Sequence, residues 1–335
     1  MVRVGINGFG SIGRRFFRQT LNDPDVQVVA VNDIGDIQVS AHLLKYDSNY
    51  GTLAEEVHAE GQILSVGEGK VRFFQETDPG NIPWHEAQVD IVIEATGRFA
   101  EKGMAQVHRT KGGAKKVIIS APAKGDDLTV VLGVNEDMYR PDEHHVISNA
   151  SCTTNCLAPV VKVLDDAFGI VWGLMTTAHA YTNDQRVLDL PHKDWRRARA
   201  AGLNIIPTTT GAARAVGKVL PHLNGKLNGM SLRVPVSVVS IVDLVVETQK
   251  PVTAEAVNDA FRQAARGPLR GILAASEEEL VSSDFKGDPH SAIVDLPLTM
   301  TMGDHQVKVF AWYDNEWGYA ARLVDLCRYL ARRGL

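Results

Sequence analysis

The sequence predicts an α/β domain built on a parallel sheet, followed by an α+β domain whose sheet is mostly antiparallel. Three observations carry this expectation. Through the first 150 residues, short apolar runs alternate with amphipathic segments, as strands and their crossover helices do. Past residue 150 the apolar runs lengthen and gain β-branched residues, with few helical segments between them. The length, 335 residues at 44% hydrophobic and 22% charged content, suits two globular domains.

Taken in order, residues 2–6 read as a buried strand, 12–21 as a helix and 26–31 as a second strand. Residues 61–75, with Gly67 and Gly69 between apolar runs, read as an inserted antiparallel hairpin. Residues 91–95 and 116–120 are two more buried strands. The texture then changes. A helix over 152–168 precedes strands over 171–178, 230–236, 238–247 and 305–313. Residues 184–203 carry Arg186, Lys193, Arg196, Arg197 and Arg199 without periodicity, so they read as a long ordered loop of functional or interfacial use. A last helix over about 319–332 closes the chain. The expected division is residues 1–150, rejoined by a C-terminal helix over 316–335, and residues 151–315.

Charge and cysteine content narrow the function classes. Net charge is −5, from 35 basic and 40 acidic side chains. Such a surface has no overall pull toward nucleic acid or anionic lipid, so neither is expected as main partner. Cys152, Cys156 and Cys327 are too few and odd in number for a disulfide framework, which suits a reducing compartment. The first residues lack an apolar core of signal-peptide length, and the cytoplasm is the expected location. No spacing of Cys, His, Asp or Glu reads as a metal site, so no metal is expected.

The first informative motif is Gly8-Phe9-Gly10-Ser11-Ile12-Gly13, which follows a strand and opens a helix. In that context the first glycine permits a tight turn and the second lets backbone approach a pyrophosphate. The third allows close helix–strand packing, and the helix N-terminus offers amides to phosphate. Asp33 ends the second strand, 20 residues after Gly13, where a carboxylate can accept both ribose hydroxyls and repel a 2′-phosphate. Motif, helix, strand and acid together specify a Rossmann-type NAD domain, with NAD preferred over NADP.

The second is a nucleophile candidate. Cys152 falls at the start of the helix over 152–168, where amides and the positive dipole end lower a thiol pKa. Cys156 reads as a small core residue. Of 11 histidines, His179 lies at the end of a strand, where polar groups can converge on a site. Chemistry alone allows a Cys–His acyl-transfer pair without identifying one.

Several segments carry a resemblance. Ile6-Asn7-Gly8-Phe9-Gly10, Ser148 through Asn155, and His179-Ala180-Tyr181-Thr182-Asn183-Asp184-Gln185 are three of them. Others are His42 through Asp47, Ile206 through Ala213, and Trp312-Tyr313-Asp314-Asn315-Glu316. Together, and along the whole chain, they resemble the phosphorylating glyceraldehyde-3-phosphate dehydrogenases. The resemblance implies Cys152 as nucleophile and His179 as general base, with a hemithioacetal oxidised to a thioester that inorganic phosphate cleaves to 1,3-bisphosphoglycerate. It implies Thr182 and Arg233 around the phosphate of glyceraldehyde 3-phosphate, and Ser151, Arg197, Thr210 and Gly211 around attacking phosphate. Thr153 joins the phosphate ligands. Thr96, Gly97, Ser120, Asn315 and Tyr319 join Gly8, Gly10, Ser11, Ile12, Gly13 and Asp33 around NAD. Leu190-Pro191 matches NAD-preferring members, and a homotetramer is implied. The sequence departs from the family at Ser11, Ala178, Trp195 and Val236-Ser237. Two other readings stand beside it: erythrose-4-phosphate dehydrogenase, with the same chemistry and little phosphorolysis, and an NAD-linked binding or moonlighting protein.

Overall fold

The computed structural model describes all 335 residues. The chain divides into two compact units. One comprises Met1–Val130, Asp137–Ser151 and Ala320–Leu335, the other Val131–Glu136 and Cys152–Tyr319.

The first unit is organised by a nine-stranded sheet. Its strand order is Leu128–Thr129, Val146–Ser148, Lys116–Ile119, Ile91–Glu94, Val2–Asn7, Val26–Asn32, Gly69–Phe74, Ile63–Val66 and Val57–Glu60. The first seven strands pair in parallel and the last two antiparallel. A strand covered on both faces needs an unbroken apolar run, and Val4, Ile6, Ile91, Val92, Ile93, Val117 and Ile118 are fully buried. The expected hairpin is present, and its second arm, Gly69–Phe74, also joins the parallel sheet beside Val26–Asn32. The helix Ser11–Thr20 buries Phe16 and Phe17. The helix Ile37–Lys45, which the sequence reading did not assign, is capped by Asp36, whose carboxylate accepts from the amides of Gln38 and Val39. The last helix, Trp317–Arg333, is tied into this unit by Arg328 on Asp23 and by Arg332 Nη2 on Asp25 at 3.1 Å.

In the second unit the strand order is Ile206–Thr209, Leu227–Val234, Ile170–Ala180, Ser240–Thr248, Gln306–Tyr313, Ala292–Asp295 and Leu273–Ser276, with Met300–Met302 also paired to Gln306–Tyr313. Only two pairings are parallel, Ile170–Ala180 with Leu227–Val234 and Leu273–Ser276 with Ala292–Asp295. The expected fold class is therefore the one observed: a Rossmann-type parallel sheet and a second, mostly antiparallel one. Ser240–Thr248 buries every second residue, the period of a strand with one face on a core. The helices Cys152–Phe168, Ala212–Val219 and Ala254–Arg266 pack on this sheet. The expectation of few helices here needs correcting, because the last two were not read. Yet Ala254–Arg266 is announced by Thr253, whose hydroxyl accepts from the amide of Ala256.

Residues 184–203 are ordered largely by their charges. Arg199 Nε meets Asp189 Oδ2 at 3.1 Å, the amide of Ala200 donates to Asp189 Oδ1 at 2.9 Å, and Arg186 and Ala200 form an isolated bridge. Their large apolar side chains face outward: Val187 is 86% and Trp195 88% exposed. No helix is long and apolar enough to cross a membrane.

Candidate active site

In the second unit, the helix Cys152–Phe168 opens on Cys152 and the strand Ile170–Ala180 places His179 beside it. Cys152 Sγ lies 3.4 Å from His179 Nε2. The parallel pairing of Ile170–Ala180 with Leu227–Val234 sets His179 opposite Arg233. Arg233 Nη1 reaches His179 Nδ1 at 2.5 Å and the carbonyl of Ala180 at 3.1 Å. The same Nδ1 stands 2.7 Å from the Ala180 carbonyl. A guanidinium only donates and a carbonyl only accepts, so the two neighbours of Nδ1 favour opposite tautomers. Beside Arg233 the ring proton belongs on Nε2; with Arg233 drawn away, Nδ1–H bonds the carbonyl and Nε2 is free to take a proton.

Burial decides the resting charge of the pair. It pushes the Cys152 thiol up, although Arg233 and bonds from Thr153 pull it down. The residue keeps some exposure, but the protein packed around the thiol outweighs the helix terminus. The net shift of the thiol is thus upward, against the expected lowering. His179 is pushed down to about 3, first by burial and then by the positive charge of Arg233. Burial thus favours the uncharged form of both groups.

Residues that the sequence reading left without a role hold this arrangement. The Tyr313 hydroxyl is buried between Thr153 Oγ1 at 2.8 Å and Thr177 Oγ1 at 2.9 Å, and its ring meets His179 edge-on, 5.9 Å between centroids. Ser240 Oγ accepts from the amide of Ala180 at 3.0 Å and donates to Asn315 Oδ1 at 2.9 Å, which leaves the Asn315 amide nitrogen to address a ligand. Just before Ser240, Val239 takes a left-handed φ of 72°, a strained state for a β-branched residue that clusters at functional sites. Gln185 Oε1 accepts from Thr182 N at 2.8 Å and Thr182 Oγ1 at 3.1 Å. These contacts span up to 160 positions of sequence, and no local pattern announces them.

The expected phosphate ligands fall as follows. Arg197 Nε donates to Thr208 Oγ1 at 2.8 Å, and its Nη1 pairs with the carboxylate of Asp184. Thr208 lies on the strand that pairs with the one carrying Arg233. Gly211 is the N-cap of Ala212–Val219, and Thr210 Oγ1 accepts from the amide of Ala212 at 3.2 Å. Thr153 is buried, its hydroxyl taken up by Tyr313. Ser151 immediately precedes Cys152 and is half-buried. Tyr319 is buried.

The first unit has a cleft of about 220 Å³ whose lining includes Gly8, Gly10, Asp33 and Thr96. The chain turns at Gly8 with φ of +94°, and a Cβ there would lie 2.7 Å from the amide nitrogen of Thr96. A Cβ at Gly10 would meet nothing within 4 Å, so that backbone is open to a ligand. A Cβ at Gly13 would lie 2.3 Å from the Gly8 carbonyl oxygen, which makes the third glycine a packing requirement. Asp33 Oδ2 accepts from Phe9 N at 2.7 Å and Oδ1 from Gly35 N at 2.8 Å. Each oxygen keeps a second lone pair for a ribose hydroxyl. Ser11 and Ile12 form the first turn of Ser11–Thr20, Gly97 follows Thr96 with φ of +71°, and the amide of Ser120 bonds the Glu94 carbonyl at 2.9 Å. Asn7, Ile34 and Arg98 also line the cleft and were not expected. The open glycine turn, the helix terminus and the ribose-facing acid fit a dinucleotide.

Such a cleft, carried by a chain that also pairs a cysteine with a histidine, defines a nicotinamide-dependent dehydrogenase. Residues 2–102 match the family model described as the NAD binding domain of glyceraldehyde 3-phosphate dehydrogenase, and residues 151–315 match its C-terminal domain. The chain belongs to the glyceraldehyde-3-phosphate dehydrogenase family. The enzyme of that name from Geobacillus stearothermophilus is 60% identical over 334 residues, covering 100% of this chain and 99% of its own. Those from Streptomyces coelicolor and Bacillus subtilis (the first of two there) are 58% and 57% identical over 334 residues, covering 99% and 100% of this chain and 99% of each relative. Its cofactor is accordingly NAD.

Proposed function

We propose that the chain oxidises and phosphorylates glyceraldehyde 3-phosphate in one site, reversibly, through a covalent bond to Cys152. The 3.4 Å contact between Cys152 Sγ and His179 Nε2, with Arg233 against the far side of the ring, is the observation that carries this reading. Arg233 and Thr182 receive the substrate phosphate. A dianion beside Arg233 draws the guanidinium from His179, and Nδ1–H then bonds the Ala180 carbonyl, so Nε2 can act as base. It takes the thiol proton, Sγ adds to the aldehyde carbon, and the resulting alkoxide takes the proton back to give a hemithioacetal. When bound, the dinucleotide supplies the two-electron acceptor for the carbon-bound hydrogen. His179 removes the hydroxyl proton in that step and leaves a thioester, which keeps the oxidation energy that free hydrolysis would dissipate. Phosphate held by Ser151, Arg197, Thr210 and Gly211 attacks the thioester carbon, Thr153 being engaged by Tyr313 instead. The carbon–sulfur bond breaks, the acyl phosphate departs, and His179 returns the proton to Sγ. Gly8, Gly10, Ser11, Ile12, Gly13, Asp33, Thr96, Gly97, Ser120, Asn315 and Tyr319 hold the dinucleotide; residues 1–150 and 316–335 serve cofactor binding, and 151–315 serve catalysis and contribute Asn315.

The deciding experiment follows NADH formation with glyceraldehyde 3-phosphate and with erythrose 4-phosphate, with and without phosphate or arsenate. Turnover that depends on the oxyanion and prefers the triose is expected. Equal steady-state rates without either oxyanion would refute the phosphorolytic step, and preference for the tetrose would refute the substrate. Asp33→Ala is expected to raise the NADP-to-NAD ratio of kcat/KM by about tenfold or more, because it removes the carboxylate that repels a 2′-phosphate. An unchanged ratio would reject Asp33 as the ribose ligand.

A homotetramer is part of the same proposal. The outward apolar side chains of residues 184–203 are what an interface requires. A cytoplasmic setting, the remaining part, is supported by three unpaired thiols.

A further inference from the structure

Under the dinucleotide cleft lies a run of buried polar side chains that the chemistry above does not use. Glu94 ends the strand Ile91–Glu94 opposite Asn7 and is 2% exposed. Its Oε2 accepts from Asn7 Nδ2 at 2.6 Å and faces His108 Nε2 at 3.0 Å. Its Oε1 accepts from the Thr96 amide at 2.9 Å and from the Thr96 hydroxyl. Beyond His108, Trp84 Nε1 reaches His108 Nδ1 at 3.0 Å, and both rings are fully buried. Beyond Asn7, Asn32 Nδ2 donates to Asn7 Oδ1 at 2.8 Å.

Donor and acceptor rules leave one arrangement of protons. An indole nitrogen only donates, so His108 Nδ1 must accept and Nε2 must carry the hydrogen that it gives to Glu94. Asn7 cannot turn its amide round without breaking its bond to Asn32. Both Glu94 oxygens are thus filled by two donors each, and those on Oε1 belong to Thr96. Thr96 is the residue whose amide packs closest to Gly8, and it starts the left-handed turn at Gly97. Asn7, Asn32 and Thr96 line the cleft; Glu94 and His108 do not.

We infer that Glu94 is a positioning residue for the dinucleotide: it anchors the Thr96–Gly97 turn against the Gly8 loop, and Trp84 through His108 dictates that its side chain be acceptor-only. The inference rests on the reading of that cleft as the NAD site. Glu94→Gln keeps the shape but presents an amide. Turned with its oxygen toward Thr96, the amide sets N–H against the donors of Asn7 and His108. Turned the other way, it releases Thr96. Trp84→Phe frees His108 to move its proton to Nδ1 and accept at Nε2, which removes one of the two opposing donors, leaves that of Asn7, and so favours the first orientation and recovers part of the anchor.

The test is NAD affinity by fluorescence titration, with kcat at saturating NAD, KM for the aldehyde and the melting temperature read on the same variants. Glu94→Gln is expected to weaken NAD binding about tenfold, the consequence of a buried donor left facing a donor, with kcat and aldehyde KM held. Adding Trp84→Phe should bring part of the lost affinity back, about threefold of it, even though the truncated ring lowers the melting temperature. Additive losses in the double variant, or unchanged affinity in Glu94→Gln, would overturn the inference. Should Glu94→Gln fail to fold, His108→Gln serves instead; about threefold weaker NAD binding supports the inference and unchanged binding overturns it. Asp33→Ala runs alongside. If it weakens NAD while Glu94→Gln does not, the positioning role fails and the cleft stands; if neither does, the cleft reading fails as well.

Discussion

Cys152→Ser is expected to lower kcat for aldehyde oxidation by at least about a thousandfold, the scale on which a lost nucleophile acts, while NAD binding stays at the parental level. A serine hydroxyl is held at the same helix start, but it is a far weaker acid than a thiol. The site already pushes the thiol up by burial, so His179 draws the proton from a hydroxyl much less readily. Single-turnover measurement should show no burst of NADH, and equilibrium titration should show the cofactor still binding. A retained burst would mean that the covalent bond forms elsewhere.

His179→Gln is the companion result, with kcat expected to fall by about 10²–10⁴-fold, the usual contribution of a general base. Glutamine can accept from the thiol but cannot take its proton. The same substitution carries a signature in stability. Burial lowers the folded-state value of His179 from 6.5 to about 3, so between those values the unfolded chain binds the extra proton. Stability from this residue is therefore complete above about pH 6.5 and is lost as pH falls toward 3. The parent should lose stability more steeply than His179→Gln over that range, measured by denaturant unfolding at each pH. Parallel slopes would mean that His179 is not held neutral by its surroundings.

What the sequence disclosed, and what it withheld, divides by distance along the chain. The glycine turn, the helix start at Cys152 and the parallel strands are written in neighbouring residues, and periodicity or turn chemistry makes them legible. Strand ends moved by only a residue or a few, as at Ile170–Ala180 against the expected 171–178. Ala254–Arg266 is legible too, through the cap at Thr253. Other features had no local trace. Tyr313 stood within a recognised segment, yet its link to Thr153 and Thr177 depends on three elements meeting. Glu94 and His108 looked like a strand end and one histidine of 11, because the donors that fill the carboxylate come from three places in the chain. The Cys152 thiol shows the same limit on energetics. A helix start can be read from neighbours, whereas the opposing effect of burial is a property of the whole surroundings.

The Tyr313 hydroxyl has a mechanical consequence. Thr153 adjoins the nucleophile on a helix, Thr177 stands two residues before the base on a strand, and the phenol pins one to the other. Attacking sulfur and accepting nitrogen therefore belong to a single rigid part, aligned before any ligand arrives. Two hydroxyl contacts about 3 Å long set the tolerance to which the chemistry is machined.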